Sequence, residues 1–204
     1  MVKAAVQGPF REASERIAEI TGATVPLRRI EEVIPQAAQD FDTFYAERTP
    51  PTSTDTAAIL VAAVDGKGIP RIKPDGGRRA VRRTKGQKAN RKKMATVVAV
   101  FTRAPWIRTP EQVVESLFGR DPSPQNPPPP RPEHQRLWAS LTQGKDTVMG
   151  EVAAEVLRRD PQGHKIQVAL RDGERALPIL VSKKLQVTLI LDLLHVLEKL
   201  WKAA

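Results

Sequence analysis

The spacing of apolar residues divides the chain into a helical section followed by an alternating series of strands and helices. Over residues 11–20, Ala13, Ile17 and Ile20 recur at helical spacing and Gly22 stops the run. A second run over 25–47 starts at Pro26 and places Leu27, Ile30, Val33, Ile34, Ala37, Ala38, Phe41 and Phe44 on one stripe, with Pro35 placed to kink or divide it. Helix, glycine turn, helix is the outline of a helix-turn-helix, though most such pairs are plain helical hairpins. The composition of residues 50–56, opening with Pro50 and Pro51, is that of a linker.

Beyond the linker the period changes. Residues 57–64 are uninterrupted apolar and predict a strand buried on both faces, ended by a turn at Asp65-Gly66. Residues 68–73 suggest an antiparallel neighbour and 95–102 a third strand. Thr109 and Pro110 cap a short helix running to Phe118. Residues 121–132 hold seven prolines and predict an extended excursion. Helical spacing returns over 133–141 and 146–159, the latter lining Val148, Val152, Val156 and Leu157 on one face. Residues 165–171 alternate as a strand, 174–184 are helical, 186–191 form another strand and 193–204 a final helix. The series describes an α/β domain over 57–204 preceded by a small helical segment over 1–49.

Charge sharpens this picture. The chain has 204 residues and a net charge of +10. Eleven cations and one anion fall within 71–93, while the 22 other cations balance the 22 other anions. The whole excess therefore sits in one basic loop, and a polyanion is its natural partner. Arg78, Arg79, Arg82, Arg83, Lys85, Lys88, Arg91, Lys92 and Lys93 are the expected DNA contacts. Aromatic residues make up only 4% of the chain, which gives little support to base-stacking recognition of single strands. There is no cysteine, which excludes disulfides, thiolate zinc sites and a cysteine nucleophile. No apolar run reaches the roughly 20 residues of a bilayer span, so the expectation is a soluble cytoplasmic protein with no membrane partner.

Two predicted strands, one early and one late, deliver an aspartate followed by glycine: Asp65-Gly66 and Asp172-Gly173. In an α/β sheet such strand ends gather on one side. Paired carboxylates repel unless a cation lies between them, and Mg²⁺ is a suitable hard cation. Two such ions can activate a water or hydroxyl and stabilise a departing phosphodiester oxygen. For either Asp-Gly pair alone, a simple turn is the more economical reading.

Four segments carry a resemblance: Val64-Asp65-Gly66-Lys67-Gly68-Ile69-Pro70, Arg91-Lys92-Lys93-Met94-Ala95-Thr96-Val97, Trp106-Ile107-Arg108-Thr109-Pro110-Glu111, and the stretch from Ile190 to Ala204 that contains Asp192 and His195. With these the sequence resembles the DDE transposases of bacterial insertion sequences, particularly the Kra-type family, and more distantly the Lre-type and Mutator-like groups. The resemblance implies an RNase H-like fold, a mixed five-stranded sheet whose first three strands are antiparallel, flanked by helices, with the segment 1–49 a helix-turn-helix-like remnant. It also implies Asp65 and Asp172 as catalytic and metal-binding residues, two Mg²⁺ or Mn²⁺ ions, and an Asp-x-x-His motif at Asp192 and His195. The partners implied are double-stranded DNA at transposon ends and target, in a bacterial, nucleoid-associated setting that allows a homo-oligomer. The family's third carboxylate, a glutamate well downstream of that motif, has no match. Glu198 is the only acidic residue on the final helix and the one substitute on offer. The expectation is a truncated transposase, inactive or weakly active, with a non-catalytic DNA-binding protein or a metal-dependent RNase H-like nuclease as alternatives.

Overall fold

A computed structural model describes residues 1–49, 51, 53–70, 92–117, 128–171 and 176–203. The chain divides into two compact units, Met1–Pro50 and Pro51–Ala204.

The first unit comprises α1 (Val2–Gln7), α2 (Phe10–Thr21), α3 (Leu27–Ala37) and α4 (Phe41–Glu47). Gly22 ends α2 in the left-handed conformation, φ 71°, and donates its N–H to the Ala18 carbonyl, a geometry that costs a glycine nothing. The Ser14 hydroxyl donates to the Val25 carbonyl at 2.6 Å and fixes the approach to α3. Ala5, Ala13 and Ile30 form a small core with Ala4, Ile17, Val25 and Ile34 packed against it. Pro35 sits in the last turn of α3, and of the two outcomes expected there, a kink or a division of the run over 25–47, the structure has the division: α3 ends at Ala37 and α4 begins after the turn at 38–40.

The second unit contains β1 (Ile59–Pro70), β2 (Lys92–Arg103), α5 (Pro110–Leu117), β3 (Glu133–Ser140), α6 (Lys145–Arg159), β4 (Ile166–Arg171), α7 (Ala176–Lys184), β5 (Thr188–Leu191) and α8 (Leu193–Ala203). The five strands make one mixed sheet in the order β3-β2-β1-β4-β5. β1 pairs antiparallel with β2, and β2 with β3, while β4 runs parallel to both β1 and β5. The core is the sheet face carrying Leu60, Ala62, Val64, Val98, Val100 and Ala169, covered by Val148, Met149, Val152 and Val156 of α6 and Val181 of α7. Thr109 and Gln112 exchange side-chain and backbone hydrogen bonds, 2.9 and 3.3 Å, in a reciprocal cap that starts α5.

Three expectations are corrected. Asp65-Gly66 is not a turn: β1 continues to Pro70, with Gly66 opposite Thr96 and Ile69 opposite Lys93, so residues 68–70 belong to the same strand rather than to a neighbour. The backbone ladder offered by β2 outweighs the local turn preference of an Asp-Gly pair. Residues 133–140 are a strand, not a helix. Their inward positions are Arg136 and Trp138, which hides the alternation. Each is accommodated by a glutamate of α6: Trp138 Nε1 donates to Glu151 at 3.1 Å and Arg136 to Glu155 at 2.6 Å. Finally, Leu157 is exposed, two and a half turns past Val148 and hence on the opposite side of α6, whereas Met149, Glu155 and Arg159 are buried.

Glu155 is a buried carboxylate enclosed by three arginines. One carboxylate oxygen accepts from Arg159 at 2.7 Å, the other from Arg136 at 2.6 Å and Arg158 at 2.7 Å. Arg159 also donates to the His134 carbonyl at 2.7 Å, so α6 is fastened to β3 at its far end. Burial opposes ionisation of Glu155, but the hydrogen bonds of the three guanidinium groups and the charge of Arg159 outweigh it and hold the carboxyl below its ordinary range. Glu155→Gln removes the carboxylate at the centre of the cluster and is expected to destabilise the fold by about 3–5 kcal/mol, read by urea or thermal unfolding at pH 7. Because the folded carboxyl titrates below the unfolded one, its stabilising contribution is complete above the unfolded range and lost as pH falls through the folded value. The gap between the native protein and Glu155→Gln is therefore expected to narrow below about pH 4.

Candidate functional site

The parallel register sets Val64 of β1 level with the carboxyl ends of β4 and β5. Val64 of β1 lies beside Arg171 of β4, and Arg171 beside Leu191 of β5. Asp65 and Asp192 are each the next residue in their chains, so both aspartates stand at the same end of the sheet. Two strand spacings separate them, about 10 Å. Asp172, which follows Arg171 in the sequence, lies outside the described residues.

Asp65 is exposed, on the sheet position alternate to buried Val64, and its carboxylate accepts the Gly66 N–H at 2.7 Å. Past it, β1 and β2 extend together for five more residue pairs, about 17 Å, ending at Pro70 opposite Lys92. Lys67, Lys92 and Lys93 lie on this extension and are exposed. Lys92 and Lys93 thus belong to β2 rather than to a loop reaching residue 93. Arg78, Arg79, Arg82, Arg83, Lys85, Lys88 and Arg91 lie outside the described residues, as do residues 121–127 of the proline-rich stretch. What is described is where the basic segment attaches: both of its ends leave the sheet on the side of Asp65 and Asp192.

Asp192 joins β5 to α8. Its N–H donates to the Arg171 carbonyl at 3.0 Å, prolonging the parallel ladder by one bond. One carboxylate oxygen accepts the Leu194 N–H at 3.0 Å and so caps α8, and the other lies 3.1 Å from His195 Nδ1. The spacing of the Asp-x-x-His motif thus has a local explanation: an aspartate before the first helical residue reaches both the helix amides and a histidine on the first turn. Glu198 follows one turn later and is paired with Lys202. That hydrogen bond and the Lys202 charge hold its carboxyl below the ordinary carboxylate range, with a smaller contribution from His195.

Asp65 and Asp192 offer oxygen ligands of the kind a hard divalent cation takes. Among the described residues no group of three or more His, Asp or Glu side chains is gathered closely enough to hold an ion. Also among the described residues, no helix is long and apolar enough to cross a membrane.

Sequence reasoning missed the polar groups at the opposite end of the sheet. Asp160, buried just past α6, accepts from the His164 and Lys165 amides at 2.9 and 3.0 Å, from Gln167 at 2.8 Å and from Ser53 at 3.3 Å. Lys165 Nζ donates to the carbonyls of Thr56 and Ala57. These bonds tie the segment entering β1 to the one entering β4 and hold the two strands in register. The visible trace in the sequence is Glu155 placed three and four residues before Arg158 and Arg159, a helical pairing pattern, followed at once by Asp160.

Compared with protein-family models, with curated proteins and with solved structures, the chain matches none of them.

The cap at α8 carries a direct test. Asp192→Ala is expected to cost about 0.5–2 kcal/mol of unfolding free energy through the lost helix cap, and Asp192→Asn much less, since an amide oxygen still accepts the Leu194 N–H. Equal losses in the two variants would assign the stabilisation to the Asp192–His195 contact instead.

Proposed function

We propose that this protein is a DNA-binding member of the DDE transposase class, gripping duplex DNA with the basic segment and presenting Asp65 and Asp172 to divalent metal beside the bound phosphodiester. The observation that carries the reading is the coincidence, at one end of the sheet, of Asp65, Asp192 and both attachment points of a segment holding most of the charge excess. A phosphate backbone drawn to that segment is drawn to the carboxylate end as well.

The mixed sheet, with three antiparallel strands followed by two parallel ones, is compatible with the RNase H-like arrangement that the resemblance implies. In this reading Asp65 and Asp172 hold Mg²⁺ or Mn²⁺. The metal supplies activation of a water or hydroxyl and stabilisation of the departing oxygen. Asp192 orients His195 and sets the start of α8. The engagement of Glu198 by Lys202 makes it a poor third ligand, so the expected behaviour is DNA binding with weak or absent strand transfer. The segment 1–49 is read as the helix-turn-helix-like part.

Two measurements test this. Anisotropy titration of a labelled 40-base-pair duplex is expected to show an affinity loss of about 10³–10⁵-fold between 50 and 200 mM salt if some 6–10 phosphates are neutralised. A variant with Arg78, Arg79, Arg82, Arg83, Lys85, Lys88, Arg91, Lys92 and Lys93 replaced by Ser is expected to lose most of that slope; an unchanged slope places the DNA elsewhere. Calorimetric titration with Mn²⁺ is expected to give binding that is abolished in Asp65→Asn and in Asp172→Asn. Binding that survives both substitutions rejects the metal assignment and leaves a non-catalytic DNA binder. Efficient Mg²⁺-dependent cutting that requires both aspartates and Glu198 would favour a nuclease with Glu198 as its third ligand.

A further inference from the structure

Past Asp65 the sheet narrows to a two-stranded ribbon. β4 last pairs with β1 at Val64, and β3 last pairs with β2 at Thr96, opposite Gly66. Beyond that level only β1 and β2 continue among the described strands, through the pairs Lys67–Ala95, Gly68–Met94, Ile69–Lys93 and Pro70–Lys92, a length of about 13 Å.

Alternation gives this ribbon two unlike faces. Lys67, Ile69 and Lys93 fall on the face of Asp65, with Lys67 two residues and about 7 Å along the strand from it. The other face has glycine at 66 and 68, and Lys92 and Met94 of the neighbouring strand lie across Gly68: a Cβ there would come within 3.1 Å of Lys92 Cδ and 3.6 Å of Met94 Sδ. Glycine thus keeps the ribbon thin on that side. Lys67, Ile69, Lys92, Lys93 and Met94 are all exposed, and the three lysines are the only charges the ribbon carries beyond Asp65.

From this geometry we infer that the ribbon lies in the major groove of duplex DNA with its Asp65 face toward the base edges, and that Lys67 contacts the nucleic acid. The inference rests on the DNA-binding reading above and adds to it the groove, the face, and a contact residue outside the basic window of 71–93.

Shape is the first argument. The major groove of B-form DNA, about 12 Å wide, admits a two-stranded ribbon, whereas the minor groove at about 6 Å does not. Chemistry is the second. Lysine reaches guanine O6 and N7 and the phosphates that border the groove, and Ile69, placed directly across from Lys93, offers an apolar surface to thymine methyl groups. Position is the third. With the ribbon in the groove, Asp65 at its base comes to the groove's edge, where the phosphodiester chain runs. Other nucleic acids fit less well. The major groove of A-form RNA is too deep and narrow to be read by side chains, and the described ribbon has no aromatic residue on which single-stranded bases could stack.

The test is anisotropy of the full chain on two labelled duplexes of one sequence, one unmodified and one with its cytosines replaced by glucosylated 5-hydroxymethylcytosine, whose sugar occupies the major groove. The glucosylated duplex is expected to bind about tenfold more weakly. On the unmodified duplex, Lys67→Ser is expected to lower the salt slope by about one. Ile69→Glu and Met94→Glu add the same charge at neighbouring positions on opposite faces, and the expected losses are about tenfold for Ile69→Glu and about twofold for Met94→Glu. Should a glutamate lower the melting temperature, the modified duplex and Lys67→Ser decide the matter, since neither disturbs apolar packing. Equal affinity for the two duplexes overturns the inference, as do an unchanged slope in Lys67→Ser, equal losses in two folded glutamate variants, or preference for double-stranded RNA of the same sequence. If the inference falls while binding still depends on the serine replacement of the basic segment, the DNA reading stands without the ribbon. A chain that binds neither duplex overturns both.

Discussion

The larger unit depends on the pairing of β1 with β4. β1 is the central strand, joined antiparallel to β2 on one side and parallel to β4 on the other, and six consecutive residue pairs from Ile59–Ile166 to Val64–Arg171 hold the two halves of the sheet in one register. A parallel pair cannot be closed by a tight turn, so the intervening chain must cross over, and here it does so through β2, β3 and α6. A slip of one residue would turn Leu60, Ala62 and Val64 away from α6 and expose the core. The bonds of Asp160 and Lys165 at the entry to the two strands guard against that slip, and the level alignment of Asp65 and Asp192 at their exits follows from it.

Charge is segregated along the same axis. At the amino ends of β1 and β4 the ionic groups are satisfied internally: Glu155 is enclosed by three arginines and Asp160 by four donors. Their role is to fix α6 against β3 and the strand entries against one another. At the opposite end Asp65 is exposed and Asp192 half-buried, and Lys67, Lys92 and Lys93 lead to the segment that carries most of the net charge. Rigidity is concentrated where the sheet is tied, and open chemistry where it projects.

Much of this architecture was legible in the chain. The continuous apolar run before Asp65, the alternation before Asp172 and the amphipathic spacing of 146–159 each identified an element, because burial on both faces, on one face, or along a helical stripe leaves a distinct period. Of the candidate residues, the Asp-Gly pairs drew attention to Asp65 and Asp172 and the charge window to the basic segment, while Asp192 and His195 entered through the family resemblance. The strand at 133–140 was not legible, since its inward residues are Arg136 and Trp138, whose suitability for the interior depends on Glu155 and Glu151 of another element. Nor was the length of β1, because Asp-Gly is a turn signal locally and a ladder position once β2 lies alongside.

What the sequence determined by itself is the order and kind of most elements, the location of the charge and the identity of the acidic and basic residues, all consequences of local period and composition. Tertiary structure alone decided which of these residues share an end of the sheet, that Asp192 caps α8 while standing level with Asp65, and that Arg136 and Trp138 of β3 meet Glu155 and Glu151 of α6. Those are matters of register and of packing between segments distant in the chain, and they depend on which strand lies beside which, a relation no local pattern encodes.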